Sequence, residues 1–145
     1  MKIGLALGSG SARGWSHIGV ISELSDLGIV PDIVCGTSIG ALVGAASLSG
    51  NLDKLDGWVT SLTRLDVARL LGISASLEGF VATDKLHHFL NKYVARDDAG
   101  IEDLDRQFAA VAADLETGRE IWLTQGSLIE AVWSSISLPG LFPPT

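Results

Sequence analysis

Apolar positions and turn residues divide the first third of the chain into strand, loop, helix, strand and helix. Lys2 to Leu7 is a short apolar run that stops at a glycine- and serine-rich loop, Gly8 to Gly14 (GSGSARG), and this predicts a buried strand. Trp15, Ile18, Ile21, Leu24 and Leu27 then recur at three-residue steps with Val20 beside them. Gly28 stands where the C-terminal cap of such a helix belongs. Asp32 to Cys35 read as a second short strand. Ile39 to Leu48 is apolar nearly all round, the mark of a helix buried in the middle of a domain.

Further along, Asn51 or Asp53 is placed to cap a helix running to about Leu65, followed by a less regular piece to Gly79. Asp84 reads as the cap of a helix through Val94. Phe108 to Ala113 and Glu120 to Thr124 read as two strands joined by the turn residues Glu116, Thr117 and Gly118. Ser127 with Glu130 three positions on is a capping-box signature, and the helix it opens must end before Pro139. No repeat, low-complexity tract or linker interrupts the sequence, so residues 1–145 are expected to form a single domain. Strand-helix-strand-helix order implies right-handed crossovers. The expected fold class is α/β, a mainly parallel sheet with helices on both faces.

Composition narrows the function more than the fold. A chain of 145 residues with 47% hydrophobic content is large enough to bury a core and has no disordered or fibrous signature. Ten basic against 17 acidic residues give a net charge of -7, which argues against a nucleic-acid partner or a polybasic grip on anionic lipid. Cys35 is the single cysteine, which fits a reducing compartment and reads as a buried core thiol in an apolar strand. The N-terminal apolar run is too short for a signal sequence, and no run approaches the roughly 20 residues of a membrane helix. The expectation is a cytoplasmic protein.

The chemistry concentrates at Gly36-Thr37-Ser38-Ile39-Gly40, a G-x-S-x-G pattern with a strand before it and a helix after it. A nucleophile on such an elbow sits in a strained backbone conformation, and side chains two positions to either side would collide with the neighbouring strand or helix. Gly36 and Gly40 remove those side chains. Ser38 also opens the buried helix, where free amides and the helix dipole stabilise a developing oxyanion, with the Ile39 amide as first donor. The competing reading is a tight turn with a capping serine. GSGSARG lies between a strand and a helix as well, so two sets of backbone amides would converge at one edge of the sheet, where open α/β folds bind ligands. A dinucleotide site fits less well. The glycines at 8, 10 and 14 are one residue too far apart for G-x-G-x-x-G, no acidic residue follows the second strand at the usual place, and a Walker lysine is absent.

Four segments, GLALGSGSARGWSHIGVI, CGTSIGALVGA, FAAVAADLETGRE and SISLPGLFPP, resemble the patatin-like phospholipase family in its small bacterial branch, and the likeness covers essentially the whole chain. The resemblance implies a three-layer α/β/α fold with Ser38 as acyl-accepting nucleophile. It assigns the oxyanion amides to Ser9, Gly10 and Ser11, with Arg13 and Gly14 closing the loop that starts at Gly8. Serines 9 and 11 stand where the commoner form has glycines, and are expected to keep negative φ. The family's partner is an aspartate in a D-G-[GA] motif after the P-G-x-F-P-P segment. The sequence stops at Thr145 before any such motif, so that aspartate is expected beyond the chain, and these residues alone are expected to be weakly active or inactive.

Other titratable residues carry less. Asp56-Gly57 is the only Asp-Gly pair and falls inside a predicted helix; Asp114 reads more simply as turn chemistry than as a catalytic partner. His17, early in the first helix, reads as a packed or capping histidine, and His87 and His88 point to different faces, which suits no metal site. Trp15, Trp58, Trp122 and Trp133 fall at apolar-periodic positions and read as core. The function expected is that of a serine acyl hydrolase of lipid or other acyl esters, needing no cofactor or metal. Its partners would be the acyl ester or phospholipid, a transient membrane surface, and a second copy where an apolar face or sheet edge is exposed. The rivals are an acyltransferase using the same acyl-enzyme and a regulatory module that keeps the fold without catalysis.

Overall fold

A computed structural model describes residues 1–63 and 79–137, residues 79–83 by their backbone alone. In chain order these form β1 (Gly4–Leu7), a 3-10 turn (Ser11–Trp15), α1 (Ser16–Asp26), β2 (Ile33–Thr37), α2 (Ile39–Leu48) and α3 (Leu52–Ser61). Then come α4 (Gly79–Tyr93), a second 3-10 turn (Ile101–Asp103), β3 (Gln107–Ala113), β4 (Glu120–Leu123) and α5 (Leu128–Ile136). The strands make one four-stranded sheet in the order β1-β2-β3-β4. β1, β2 and β3 are parallel, and β4 returns antiparallel to β3. This mixed, mostly parallel sheet with helices is of the α/β class expected from the sequence and is consistent with an α/β/α fold, the described helices packing on one of its faces.

Register decides what the helices cover. Leu5 and Leu7 lie opposite Val34 and Gly36, which in turn lie opposite Phe108 and Ala110, so these six share one face. α2 lies on that face with every residue from Ile39 to Ala46 buried. A Cβ on Gly44 would come within 3.0 Å of Val34, 3.3 Å of Leu7 and 3.4 Å of Phe108, one residue from each parallel strand. α5 packs on β3 and α2, while α1 and α3 pack against α2 and α4 against α3 and α5. α1 and α2, which follow β1 and β2 in the chain, pack against each other, as expected where two parallel steps run in the same direction with the usual right-handed crossover.

The opposite face holds Ala6, Ile33, Cys35, Ala109, Val111 and Trp122 by the same alternation. Cys35 is therefore half-buried rather than the core thiol expected. Trp122, 52% exposed, is likewise not core. Trp133 is buried, and Trp15 and Trp58 are partly buried against the core. Trp15, Trp58 and Phe89 pack in series, the first pair edge-to-face and the second tilted, with ring centroids 5.9 and 4.6 Å apart, joining the first 3-10 turn to α3 and α4.

Helix ends follow the expected chemistry in most places. Gly28 at φ 72° and Gly50 at φ 71° end α1 and α2. Each end closes the same way, with Ile29 N donating to Leu24 O at 2.8 Å and Asn51 N to Ala46 O at 2.8 Å. Ser127 caps α5 by accepting from Glu130 N at 3.3 Å, and α5 ends at Ile136. Two caps differ from expectation. α4 begins at Gly79, so Asp84 lies inside the helix, exposed, because the intervening residues contain no breaker. Asn51 is the N-cap residue of α3, but its side chain donates instead to Val94 O at 2.9 Å, tying α3 to the end of α4. α3 stops at Ser61, where Leu62 turns extended. Leu65, the piece leading to Gly79 and the segment from Pro139 onward lie outside the described residues. Among the described residues no helix is long and apolar enough to cross a membrane.

Candidate active site

Ser38 stands between the last residue of β2 and the first of α2 with φ 55° and ψ -119°. A non-glycine residue in this region costs about 1–3 kcal/mol and persists only where its surroundings hold it. They do so through main chain. A Cβ on Gly36 would lie 2.4 Å from the Ala41 amide, and one on Gly40 would lie 2.2 Å from Leu7 O and 2.7 Å from Gly8 O. Gly36 thus lets α2 start directly over β2, and Gly40 lets α2 abut the end of β1.

The capping-serine reading fails on geometry. Ser38 forms no side-chain cap of α2, although its carbonyl accepts the first helical bond from Leu42 N at 3.1 Å. Its Oγ makes no hydrogen bond to another described residue. Ser38 and Thr37 are half-buried, while Ile39 is 8% exposed. The amides of Ile39, Gly40 and Ala41 belong to the first turn of α2, where the helix itself supplies no acceptor. The partial positive charge of the helix start is therefore concentrated beside Ser38.

The first glycine-rich loop meets this elbow. A Cβ on Gly14 would lie 1.9 Å from Ile39 Cγ2, so the 3-10 turn that closes the loop rests on the residue after Ser38. Gly10 takes φ 155° and Ser11 φ 49°. Ser9 keeps a negative φ; Ser11 does not, contrary to expectation, because the chain reverses there so that Arg13 N can donate to Gly10 O at 3.0 Å. His17 braces the loop from α1: its Nε2 donates to Gly8 O at 2.9 Å, which fixes the proton on that nitrogen and occupies it. That bond commits the Nε2 proton to the loop, and no hydrogen bond joins His17 to Ser38.

The other candidates are accounted for elsewhere. Asp114 accepts from Thr117 Oγ1 at 2.8 Å, Thr117 N at 2.7 Å and Glu116 N at 3.1 Å, forming the β3–β4 turn. Those bonds, the one from the Thr117 hydroxyl foremost, hold its carboxyl below the usual aspartate range. Asp56 lies on α3, exposed. His87 faces Asp97 at 3.4 Å, and His88 is exposed on the same helix. Among the described residues no three His, Cys, Asp or Glu side chains are grouped to hold a metal ion.

One contact at the elbow was not anticipated. Ser38 N donates to Ser135 Oγ at 2.8 Å, and Ser135 Oγ donates to Val111 O at 2.6 Å. The available signal was a polar residue one turn beyond Ala131 and Val132 on the apolar side of α5.

A serine held in strain at the carboxyl end of parallel strands, opening a buried helix beside a second amide-bearing loop, defines a class of α/β proteins. The sequence model of the patatin-like phospholipase family matches residues 5–145. The chain belongs to that family. It is 38% identical over 143 residues to an uncharacterised NTE family protein of Mycobacterium tuberculosis, covering 99% of this chain and 39% of that protein. It is 34% identical over 152 residues to the lysophospholipase NTE1 of Yarrowia lipolytica, covering 98% of this chain and 10% of that protein. With the neuropathy target esterase sws of Drosophila persimilis the identity is 32% over 148 residues, 99% of this chain and 10% of the relative. The chain thus spans about two fifths or less of the length of these relatives.

Proposed function

We propose that this chain carries the nucleophile and oxyanion site of a serine hydrolase acting on lipid or other acyl esters. The observation that carries the reading is Ser38 itself, strained, uncapping, and set where the first loop packs on Ile39. A structural serine would relax; a nucleophile is worth the strain.

In this reading Ser38 Oγ attacks the ester carbonyl carbon while a carboxylate takes the hydroxyl proton. The family pattern supplies that carboxylate from the D-G-[GA] motif. The carbonyl oxygen becomes an oxyanion, and the amides of Ile39, Ser9, Gly10 and Ser11 are the donors that receive it. Collapse breaks the bond to the leaving alcohol, which regains a proton, and water then cleaves the acyl-enzyme. Gly8, Arg13 and Gly14 shape the loop, and Gly36 and Gly40 the elbow. The family name and a relative called a lysophospholipase make a lysophospholipid the first substrate to try.

The test is a fluorophosphonate probe on the protein in its natural length, with lysophospholipid hydrolysis followed in parallel. Wild type should label at Ser38 and release fatty acid, and Ser38→Ala should do neither above background, a loss of about 10³-fold or more in rate. An unlabelled wild type, or equal labelling of Ser38→Ala, would remove the nucleophile reading and favour a regulatory module.

A further inference from the structure

The fourth segment that carries the family likeness begins at Ser135, and the acyl transfer just described makes no use of it. Ser135 lies half-buried near the end of α5. Its hydroxyl is shared between two main-chain groups: it donates to Val111 O at 2.6 Å and accepts from Ser38 N at 2.8 Å. A serine hydroxyl has one proton. With that proton committed to Val111, a lone pair faces Ser38, and the direction of both bonds is fixed.

The amide that Ser135 receives belongs to neither neighbouring element. The β2 ladder ends at Thr37, which pairs with Val111, and α2 begins at Ile39. Ser38 N–H would otherwise be a half-buried donor at a strained residue, costly to leave unmade. Its engagement also takes it out of competition with Ile39 for an oxyanion.

We propose that Ser135 is a positioning residue for the nucleophile: its hydroxyl holds the Ser38 amide and ties the elbow to the end of β3 and to α5. Val111 is the fixed point, because it sits in the sheet opposite Thr37. The elbow is thereby held from three sides, by β1 through Gly40, by the first loop through Gly14, and by β3 and α5 through Ser135. Only the kinetic consequence rests on Ser38 being the nucleophile. The strap itself is a statement about the backbone.

Ser135→Ala, Ser135→Thr and Ser135→Val, made in the natural-length protein, separate the two. Thr and Val share a shape and differ in the hydroxyl, so a packing role treats them alike and a strap does not. Amide exchange read on the fragment spanning Gly36–Gly40 should speed up about tenfold at Ser38 in Ala and Val and stay near wild type in Thr. Fluorophosphonate labelling of Ser38 should slow about ten- to hundredfold in Ala and Val, as expected when a reacting group is displaced by an ångström or so, with KM for an ester changed less than about twofold and Thr close to wild type. Exchange at Ser38 unchanged in Ser135→Ala, or Val matching Thr in both readouts, overturns the proposal. If Val does not fold, the Ala and Thr pair decides on the same measurements. A wild type that fails to label removes the nucleophile reading alone, and the exchange result still decides the strap.

Discussion

The turn after β1 and the turn after β2 lie against each other and both lead from a strand into a helical segment, but their glycines answer to different constraints. In the elbow, Gly36 and Gly40 face main-chain atoms at 2.4 and 2.2 Å from a would-be Cβ, so nothing can rotate out of the way. In the first loop, a Cβ on Gly8 would meet no described residue within 4 Å, Gly10 is needed for its φ of 155°, and the three atoms nearest a Cβ on Gly14 all belong to the side chain of Ile39. One turn is locked by the backbone of its neighbours. The other is held by conformation and by side chains, Ile39 against Gly14 and His17 on Gly8 O, which explains how it accommodates serines at 9 and 11.

The comparison is broken most severely at Gly40. Gly40→Ala forces a methyl into Leu7 O and Gly8 O, and α2, packed between the three parallel strands on one side and α1, α3 and α5 on the other, has little room to retreat. Overpacking costs about 1–3 kcal/mol and more where nothing yields. We expect the upper end, about 3 kcal/mol, seen as a drop of roughly 10 °C in Tm. A Tm within a degree or two of wild type would mean that the abutment of α2 on β1 is not a constraint.

Gly14→Ala should cost less, about 1–2 kcal/mol, because the obstacle is a branched side chain that resists but does not forbid movement. It is also the place to measure how the two turns communicate. Ile39→Ala alone removes a buried side chain, yet in the double variant the new methyl occupies part of the space vacated. The two costs should therefore fall short of additivity by about 1 kcal/mol in a urea-denaturation cycle. Strict additivity would separate the loop from the elbow and weaken the case for a shared site.

How much of this was legible in the sequence depends on how far the cause lies from its effect. Gly28 marks a helix end through a bond spanning five residues, and the pattern around Ser38 explains Gly36 because its clash with Gly40 and Ala41 is set by the turn's own geometry, whereas Gly40 answers to Leu7 and Gly8 of the neighbouring strand and loop. Element order and sheet class follow from such local signals. The start of α4 did not, since capping chemistry at Asp84 was read where the helix already had momentum from Gly79. Trp122 was misplaced because a period of two marks alternation on a strand without saying which face is covered. The bond from Ser38 to Ser135 spans 97 residues and depends on where α5 docks, so no motif near Ser38 contains it. The contact of Gly14 with Ile39 is of the same kind, a product of packing between elements.

The smallest effect sharpens the comparison furthest. Gly8 begins a loop whose glycines invite a single explanation, yet a Cβ there meets no atom of the described residues within 4 Å and its φ lies outside the left-handed range. What the site takes from Gly8 is its carbonyl, which accepts from His17 Nε2 at 2.9 Å and lies against Gly40. Alanine supplies the same carbonyl and restricts the unfolded chain, which is worth about 0.4–1 kcal/mol where the native conformation is compatible. Gly8→Ala should therefore leave Tm unchanged or raise it slightly and keep the labelling rate of Ser38 within about twofold. A substantial loss of labelling with Tm intact would show that the open space beside Gly8 is reserved for substrate, and the division between a locked elbow and a tolerant loop would have to be redrawn at that residue.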